Sequence, residues 1–327
     1  MGKCSKDFFI TQDMLQQLLI STFRHTGIPL SFRTFGKSPG TAPVVLVNHA
    51  LTGNSNAAGE NGWWNMLIGD GKTIDTLRFS VIAFDIPGNG QNGFFIDDYE
   101  NFSTRTIAQL FWDGLHLLNI NRIFAIIGGS LGGAIAWEMA FLKPDRIEKI
   151  IPVACNYKAS DWLIANVKVQ EAILKNSSNA LEDARMHAML LYRTPESFQA
   201  KFNLERNTAT KKHKVEEWLE YHAKTLEKRY KLKSYRLMNH LLKTIGNEWT
   251  RDDFESFLNT TQMKIHLIAV NSDYMFTKKE QYETFKEIAE VYKHVSFETI
   301  HSIHGHDAFL IEHQQLAQLT QPYFKAN

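Results

Sequence analysis

The amino-acid sequence predicts an α/β fold, in which a mostly parallel, doubly wound sheet is interrupted by an inserted block of helices. Short apolar runs at 43–48, 79–84 and 149–154 alternate with helical patterns over the first half of the chain. Such alternation is typical of βαβ units, and an unbroken apolar run is typical of a strand covered on both faces. From about 160 to 258 we find no strand pattern, and the alternation then resumes. The simplest architecture is one sheet domain with a helical insertion before its last strands.

Local signals define the individual elements. The run at 79–84 ends at a Pro-Gly turn, and Ser103 supplies an N-cap for the helical pattern after it. In chain order we expect a short helix at 10–24, an edge strand at 30–35, strands at 43–48 and 79–84, a helix at 104–118, a strand at 123–127, a helix at 134–142 and a strand at 149–154. After the insertion we expect a strand at 264–270, a helix at 278–292, a strand at 294–300 and a helix at 308–321. We therefore divide the chain into a first core part (1–157), a helical lid (158–259) and a second core part (260–327).

Composition limits the kinds of partner and compartment. The 327 residues are 44% hydrophobic and 22% charged, which are globular values, and the net charge of +1 predicts neither a nucleic-acid nor a membrane partner. The thirteen histidines show no metal-ligand spacing, so no metal is expected. Of the two cysteines, Cys4 and Cys155, the second ends an apolar run and is predicted to be a buried thiol. With no signal peptide and no apolar span long enough for a membrane, we expect a cytoplasmic protein.

The strongest functional signal is Gly128-Gly-Ser-Leu-Gly-Gly133, which lies between an apolar strand and a helical pattern. A G-x-S-x-G sequence in this context is the nucleophile elbow, where small neighbours let strand and helix approach and the serine hydroxyl is exposed. A tight glycine-rich turn or a phosphate loop is the alternative, but no lysine follows as a phosphate loop requires. We therefore predict that Ser130 is a nucleophile.

A serine nucleophile needs a base and an acid that orients the base, and elbow-type folds place them in the order Ser, Asp or Glu, His. Asp273 follows the strand at 264–270, and His306 follows the next strand and opens the last helix. Both positions are carboxyl ends of strands, where ligand-facing residues of open α/β sheets lie. We predict Asp273 as the acid and His306 as the base. The rivals for these two roles are Asp252, Asp253, His301, His304 and His313.

Two backbone N–H groups are expected to bind the oxyanion that forms during acyl transfer. One is that of Leu131, directly after the nucleophile, and the other comes from the loop after an early strand. The loop at 48–53 occupies that place, and we choose Leu51 as its donor by analogy. His49 lies in the same loop, and we expect it to shape the loop rather than to act as a base.

With these residues placed, the chain resembles the homoserine O-acetyltransferase family of the α/β-hydrolase fold. The resemblance covers most of the chain apart from the insertion, where it is thinner. It rests on His49-Ala-Leu-Thr-Gly53, paired tryptophans at 63–64, the Leu-Ile-Gly-x-Gly-Lys-x-Ile-Asp-Thr run at 67–76, the elbow, Pro144-Asp-Arg146, Ser272–Phe276 and Gly305–Leu310, with 170–173, 184–186 and 192–193 inside the insertion. It implies that Arg185 binds the carboxylate of an amino-acid substrate and that Asp307 holds its ammonium group.

The resemblance also implies an activity: transfer of an acyl group, acetyl foremost, from acyl-CoA to the hydroxyl of homoserine, a step of methionine biosynthesis. Acetyl-CoA or another acyl-CoA would be a co-substrate, and no bound cofactor is expected. The partners would be small molecules, with the lid as a candidate surface for a homodimer. Alternatives are a serine hydrolase, transfer to serine or from succinyl-CoA, and a non-catalytic binding protein. A binding protein would not need all three of Ser130, Asp273 and His306.

Overall fold

A computed structural model describes residues 14–21 and 26–325 of the chain. Cys4 and the N-terminal segment, on which the targeting prediction depends, lie outside the described residues. Within the described ranges, no helix combines the length and apolar character that crossing a membrane requires. No three His, Cys, Asp or Glu side chains come together as a metal site in this part of the chain.

The described chain forms one eight-stranded sheet, in the order β1-β2-β6-β3-β7-β8-β9-β10. The first three strands in this order pair antiparallel, and all later pairs are parallel. The strands of this sheet are β1 (Gln16–Ile20), β2 (Ile28–Gly36), β3 (Val44–Asn48), β6 (Ser80–Phe84), β7 (Ala125–Gly129), β8 (Lys149–Val153), β9 (Lys264–Val270) and β10 (Val295–Ile300). Two short strands, β4 (Ile68–Gly69) and β5 (Ile74–Asp75), pair separately. This is the predicted α/β class.

Helices cover both faces of the sheet. Successive residues of a strand point to opposite faces, so Val44 and Leu46 join one apolar cluster while Val45 and Val47 join the other. The core helices are α1 (Thr104–Leu117), α2 (Leu131–Leu142), α9 (Lys278–Val291), α10 (Ala308–Ile311) and α11 (His313–Phe324). Covering both faces explains why the central strands are unbroken apolar runs.

Six helices lie between β8 and β9, a stretch that is described throughout. They are α3 (Asp161–Asn176), α4 (Ala180–Tyr192), α5 (Pro195–Phe202), α6 (Lys214–Arg229), α7 (Leu232–Lys243) and α8 (Arg251–Thr260). We call residues 158–259 the lid, after the sequence prediction. The lid is attached to the core near Glu138 of α2, a buried carboxylate that accepts hydrogen bonds from the Trp249 indole and the Gly246 N–H.

Three predicted elements differ from the structure. The described part of 10–24 contains strand β1 instead of a helix, because its residues pair antiparallel with β2. The strand predicted as an edge, β2, is therefore interior, and β1 takes the edge. The predicted last helix is broken at Glu312 into α10 and α11. Cys155, as predicted, is a buried free thiol.

Candidate active site

Ser130 lies on a strained turn between β7 and α2. Its backbone has φ 55° and ψ −127°, a conformation that residues other than glycine rarely adopt and that costs roughly 1–3 kcal/mol. Glycine at 132 is required by close packing, because a Cβ there would lie 2.3 Å from the Asn48 carbonyl oxygen of the neighbouring strand. The turn thus presents the serine hydroxyl beyond the carboxyl end of the sheet, as predicted for a nucleophile elbow.

The structure brings Ser130, His306 and Asp273 together in one hydrogen-bonded line. The Ser130 Oγ lies 2.8 Å from His306 Nε2, and His306 Nδ1 lies 2.7 Å from Asp273 Oδ2. All three residues are buried, and Asp273 Oδ1 also accepts hydrogen bonds from the N–H groups of Met275 and Phe276. Because the carboxylate accepts from Nδ1–H, the imidazole presents a free Nε2 lone pair to the serine hydroxyl. This is the tautomer that a general base for Ser130 needs.

The structure gives the rival residues other places. Asp252 and Asp253 lie on α8, where Asp253 accepts hydrogen bonds from Thr250 and caps the helix. His304 Nδ1 lies 3.0 Å from the Ser197 hydroxyl. His301 is exposed, and His313 begins α11.

The loop at 48–53 lies beside Ser130, and His49 holds it in place. His49 Nε2 accepts a hydrogen bond from the Ile86 N–H at 2.9 Å, so its ring proton is on Nδ1, which donates to the Ala50 carbonyl at 2.7 Å. Burial lowers the pKa of His49, which keeps the ring neutral. Leu51 lines the same cavity as Ser130, and the Leu131 N–H lies in the first turn of α2, where a helix has no internal acceptor for it. Leu51 thus shares a cavity with Ser130, and Leu131 directly follows Ser130 in the chain.

A cavity of about 470 Å³ opens over Ser130 and His306. The core contributes one wall and the lid contributes polar groups to the other. The polar residues that line it include Thr52, Asn54, Arg185, Tyr192, Arg193, Arg229 and Asp307. Ser130 thus lies beneath a cavity that carries three guanidinium groups and one carboxylate.

The lid side of this cavity is electropositive. Burial, and after it the charges of Arg185 and other lid cations, lowers the pKa of His222 to about 4. The Arg193 guanidinium lies 3.6 Å from the Asp307 carboxylate. Burial raises the pKa of Asp307, and the charge of Arg185 only partly opposes this rise. Arg185 stacks over the Tyr192 ring, and its Nε has no hydrogen-bond partner among the described residues. The cavity therefore holds Arg185 together with a carboxylate that is paired to Arg193.

Comparison with known proteins places the chain in a family. A profile of the α/β hydrolase fold matches residues 43–308. The homoserine O-acetyltransferase of Cyclobacterium marinum is 30% identical over an aligned region that covers 91% of this chain and 90% of the relative. The enzyme of the same name from Chloroherpeton thalassium is 28% identical, with 90% and 83% covered. The chain belongs to the homoserine O-acetyltransferase family. The predicted family resemblance and the predicted enzyme class are confirmed.

Solved structures show the same fold. Esterase E22 superposes with a TM-score of 0.82 at 20% identity, over 95% of this chain and 99% of the esterase. The homoserine O-acetyltransferase from Bacillus anthracis superposes with a TM-score of 0.83 at 19% identity, over 96% and 97% of the two chains. At such identities the superpositions establish the α/β-hydrolase fold and nothing finer.

Sequence reasoning missed part of this family member's site. Arg185 and Asp307, named from the resemblance, both line the cavity. The cavity is also lined by Arg193, which pairs with Asp307, and by Arg229, at the end of α6. Neither residue is among the site residues predicted from the sequence. The one available signal was the position of Arg193 in a stretch of family similarity at 192–193. Nothing in the charged pattern of α6 distinguishes Arg229 from its solvated neighbours.

Proposed function

We propose that the protein is an O-acyltransferase that moves an acyl group, acetyl foremost, from acyl-CoA to the hydroxyl of homoserine through an acyl-enzyme on Ser130. One observation carries the proposal: a hydrogen-bonded Ser-His-Asp line lies under a cavity that holds three guanidinium groups and one carboxylate. An amino-acid acceptor carries a carboxylate and an ammonium group, and these two kinds of side chain complement it. The names of the relatives point to the same acceptor.

In the first half-reaction, His306 Nε2 takes the Ser130 proton while the oxygen attacks the thioester carbonyl carbon. The N–H groups of Leu51 and Leu131 hold the oxyanion, and Asp273 stabilises the charged imidazole. The carbon–sulfur bond then breaks, and the thiol of coenzyme A leaves with the proton from His306. In the second half-reaction, His306 takes the hydroxyl proton of homoserine, whose oxygen attacks the acyl-enzyme ester. The proton returns to Ser130 as the product leaves.

The cavity residues would give the acceptor its orientation. We propose that Arg185 binds the carboxylate of homoserine and that Asp307, beside the base in sequence, holds the ammonium group. Arg185 lines the cavity, and its planar guanidinium suits a carboxylate. Orienting the acceptor hydroxyl next to His306 favours transfer over hydrolysis, because a positioned nucleophile reacts with a far higher effective concentration than a free one.

The test is release of coenzyme A from acetyl-CoA by the purified protein, with and without L-homoserine, with products identified by mass. We expect homoserine-dependent release that yields O-acetylhomoserine and that Ser130→Ala abolishes. Ser256→Ala, an exposed serine on α8, is the matched control and should behave as wild type. Release of free acetate regardless of homoserine would instead identify a hydrolase. A preference for serine or succinyl-CoA would change the acceptor or donor but not the mechanism.

We also propose that two copies associate through the lid. Trp162 and Val169 on α3 and Leu190 on α4 are each about half exposed, and α3 and α4 pack against each other. Light scattering should show a dimer that Val169→Glu dissociates. Val291→Glu, at an exposed valine of the core, should leave the dimer intact. A wild-type protein that is monomeric at micromolar concentration would refute this surface.

A further inference from the structure

Two consecutive lid residues hold the loop at 48–53 by its main-chain carbonyls. The Tyr230 hydroxyl donates to the Leu51 carbonyl at 3.0 Å, and Arg229 Nη1 donates to the Thr52 carbonyl at 3.0 Å. Tyr230 is fully buried, with 1% of its surface exposed, so its hydrogen bond is shielded from water. Burial also raises the pKa of the Tyr230 phenol, which keeps it a neutral donor. These contacts join the lid directly to the loop that carries a proposed oxyanion donor.

The end of α6 explains how adjacent residues reach the same loop. Neighbouring residues inside an α-helix diverge by about 100° around its axis, so their side chains seldom point to one target. Arg229 is the last residue of α6, and Tyr230 leaves the helix with φ −131° and ψ 148°. This change of direction lets the two side chains bind successive carbonyls.

The carbonyls held by the lid directly follow the peptide unit that contains the Leu51 N–H. A peptide unit is planar, so fixing its carbonyl oxygen also fixes the N–H on its opposite side. The unit that contains the Leu51 N–H is held at the Ala50 carbonyl, which accepts from His49 Nδ1 and from the Gly53 N–H. The next unit, with the Leu51 carbonyl, is held by Tyr230 alone among the hydrogen bonds given above, and the one after it is held by Arg229 at the Thr52 carbonyl and by its own Gly53 N–H. Without the lid contacts, the unit that directly follows the oxyanion donor would lose its hydrogen bond.

We propose that Arg229 and Tyr230 are positioning residues for the oxyanion hole, so that acylation of Ser130 depends on the seating of the lid. This inference rests on the proposed function, because it takes the Leu51 N–H as a donor to the acyl oxyanion. The gain from such a donor comes from its being in place before the reaction, and a loosened donor loses part of that gain. The lid then serves the chemical step as well as substrate choice.

The test measures acetylation of Ser130 by p-nitrophenyl acetate, as the burst of p-nitrophenol and as acetyl-enzyme by intact mass. Tyr230→Phe removes only the hydroxyl. We expect an acetylation rate about tenfold lower, a fraction of the roughly 10²–10³ lost with a whole oxyanion donor. The KM for homoserine should stay within about twofold of wild type, since Arg185 and Asp307 are untouched. Arg229→Gln should show the same split, and Arg229→Lys should recover part of the rate.

Tyr292→Phe is the matched control, because this buried tyrosine also donates to a main-chain carbonyl, that of Met263, but does so away from the cavity. It should acetylate at the wild-type rate. If the wild type forms no acetyl-enzyme, the proposed function fails and the inference fails with it. If the wild type reacts and Tyr230→Phe reacts equally fast, only the inference is overturned. If Tyr292→Phe slows acetylation as much as Tyr230→Phe does, the loss reflects general distortion and the inference is overturned too. A rise in the homoserine KM of Tyr230→Phe as large as its loss of acetylation rate would overturn it for the same reason.

Discussion

Replacing Asp273 with asparagine tests the role of the acid through the tautomer of His306. The Asp273 carboxylate accepts three hydrogen bonds, from His306 Nδ1 and from the N–H groups of Met275 and Phe276. In the variant, the amide oxygen can continue to accept from the two backbone N–H groups. Its NH₂ group then faces Nδ1 and can only donate, so the ring proton moves to Nε2. A ring protonated at Nε2 cannot take the proton of Ser130.

The size of the loss follows from the alternative orientation of the amide. Turning the amide over would restore the correct tautomer, but it would place NH₂ against two buried N–H donors. Each unsatisfied buried group costs roughly 1–3 kcal/mol, so the inactive arrangement is favoured by about 2–6 kcal/mol. At about 1.4 kcal/mol per factor of ten, acetylation should slow by between about 30-fold and 10⁴-fold. The equivalent change in a Ser-His-Asp protease costs about 10⁴ in kcat.

The assay is again burst acetylation by p-nitrophenyl acetate, with thermal unfolding as a check on the fold. Asparagine fills the same volume as aspartate, so Tm should change little. Asp252→Asn, at an exposed rival acid on α8, is the control and should keep the wild-type rate. A loss of less than tenfold in an Asp273→Asn protein with the wild-type Tm would show that Asp273 does not fix the tautomer of the base.

Three other predictions concern the lid attachment, the elbow and the acceptor. Glu138→Leu leaves buried donors, among them the Trp249 indole, without their carboxylate, and should lower the free energy of unfolding by about 3–5 kcal/mol in denaturant titrations. Burial raises the pKa of Glu138 above its ordinary 4.5, so the folded state retains a proton that the unfolded chain releases. The stability gained from this retained proton is complete below pH 4.5 and is lost as pH rises through the folded pKa. Glu138→Gln should flatten this part of the stability profile, and an unchanged slope would refute the linkage to Glu138. Gly132→Ala puts a Cβ 2.3 Å from the Asn48 carbonyl oxygen and should lower the unfolding free energy by about 3 kcal/mol, seen as reduced Tm, whereas wild-type stability would contradict the packing argument. Arg185→Gln should raise the homoserine KM at least about tenfold through loss of a charged hydrogen bond, with the acetylation rate of Ser130 unchanged; a slower acetylation step with normal KM would exclude it as the acceptor residue.

Most of the core could be predicted because its signals are local. The central strands are unbroken apolar runs, and the glycines on either side of Ser130 predict the strained turn. Asp273 and His306 could be chosen because each follows a strand, and parallel strands bring their carboxyl ends to one edge. Strand β1 could not be recognised in the same way, because its residues are extended only through pairing with β2. Its pattern of alternating exposure depends on a neighbour that the segment itself does not specify.

The lid was harder to predict for a different physical reason. Its helical character could be predicted from the sequence, but which side of each helix faces Ser130 depends on packing across the chain. Tyr230 is separated by 179 positions from the carbonyl that it binds, and no local pattern marks such a contact. The roles of Arg193 and Arg229 arise in the same way, from the ends of α4 and α6 meeting the core.

This division between core and lid also bears on how a common fold could favour transfer over hydrolysis. Ser130, His306 and Asp273 come from the core, and an acyl-enzyme formed there could react with water or with another hydroxyl. What favours one acceptor is its orientation, and positioning can supply effective concentrations of roughly 10⁵–10⁸ M. The groups suited to hold an amino acid are Arg185, from the lid, and Asp307, from the core beside the base. Under the proposed mechanism, the balance between transfer and hydrolysis would depend on the lid and core being assembled, which is also the condition on which the proposed Leu51 donor would depend.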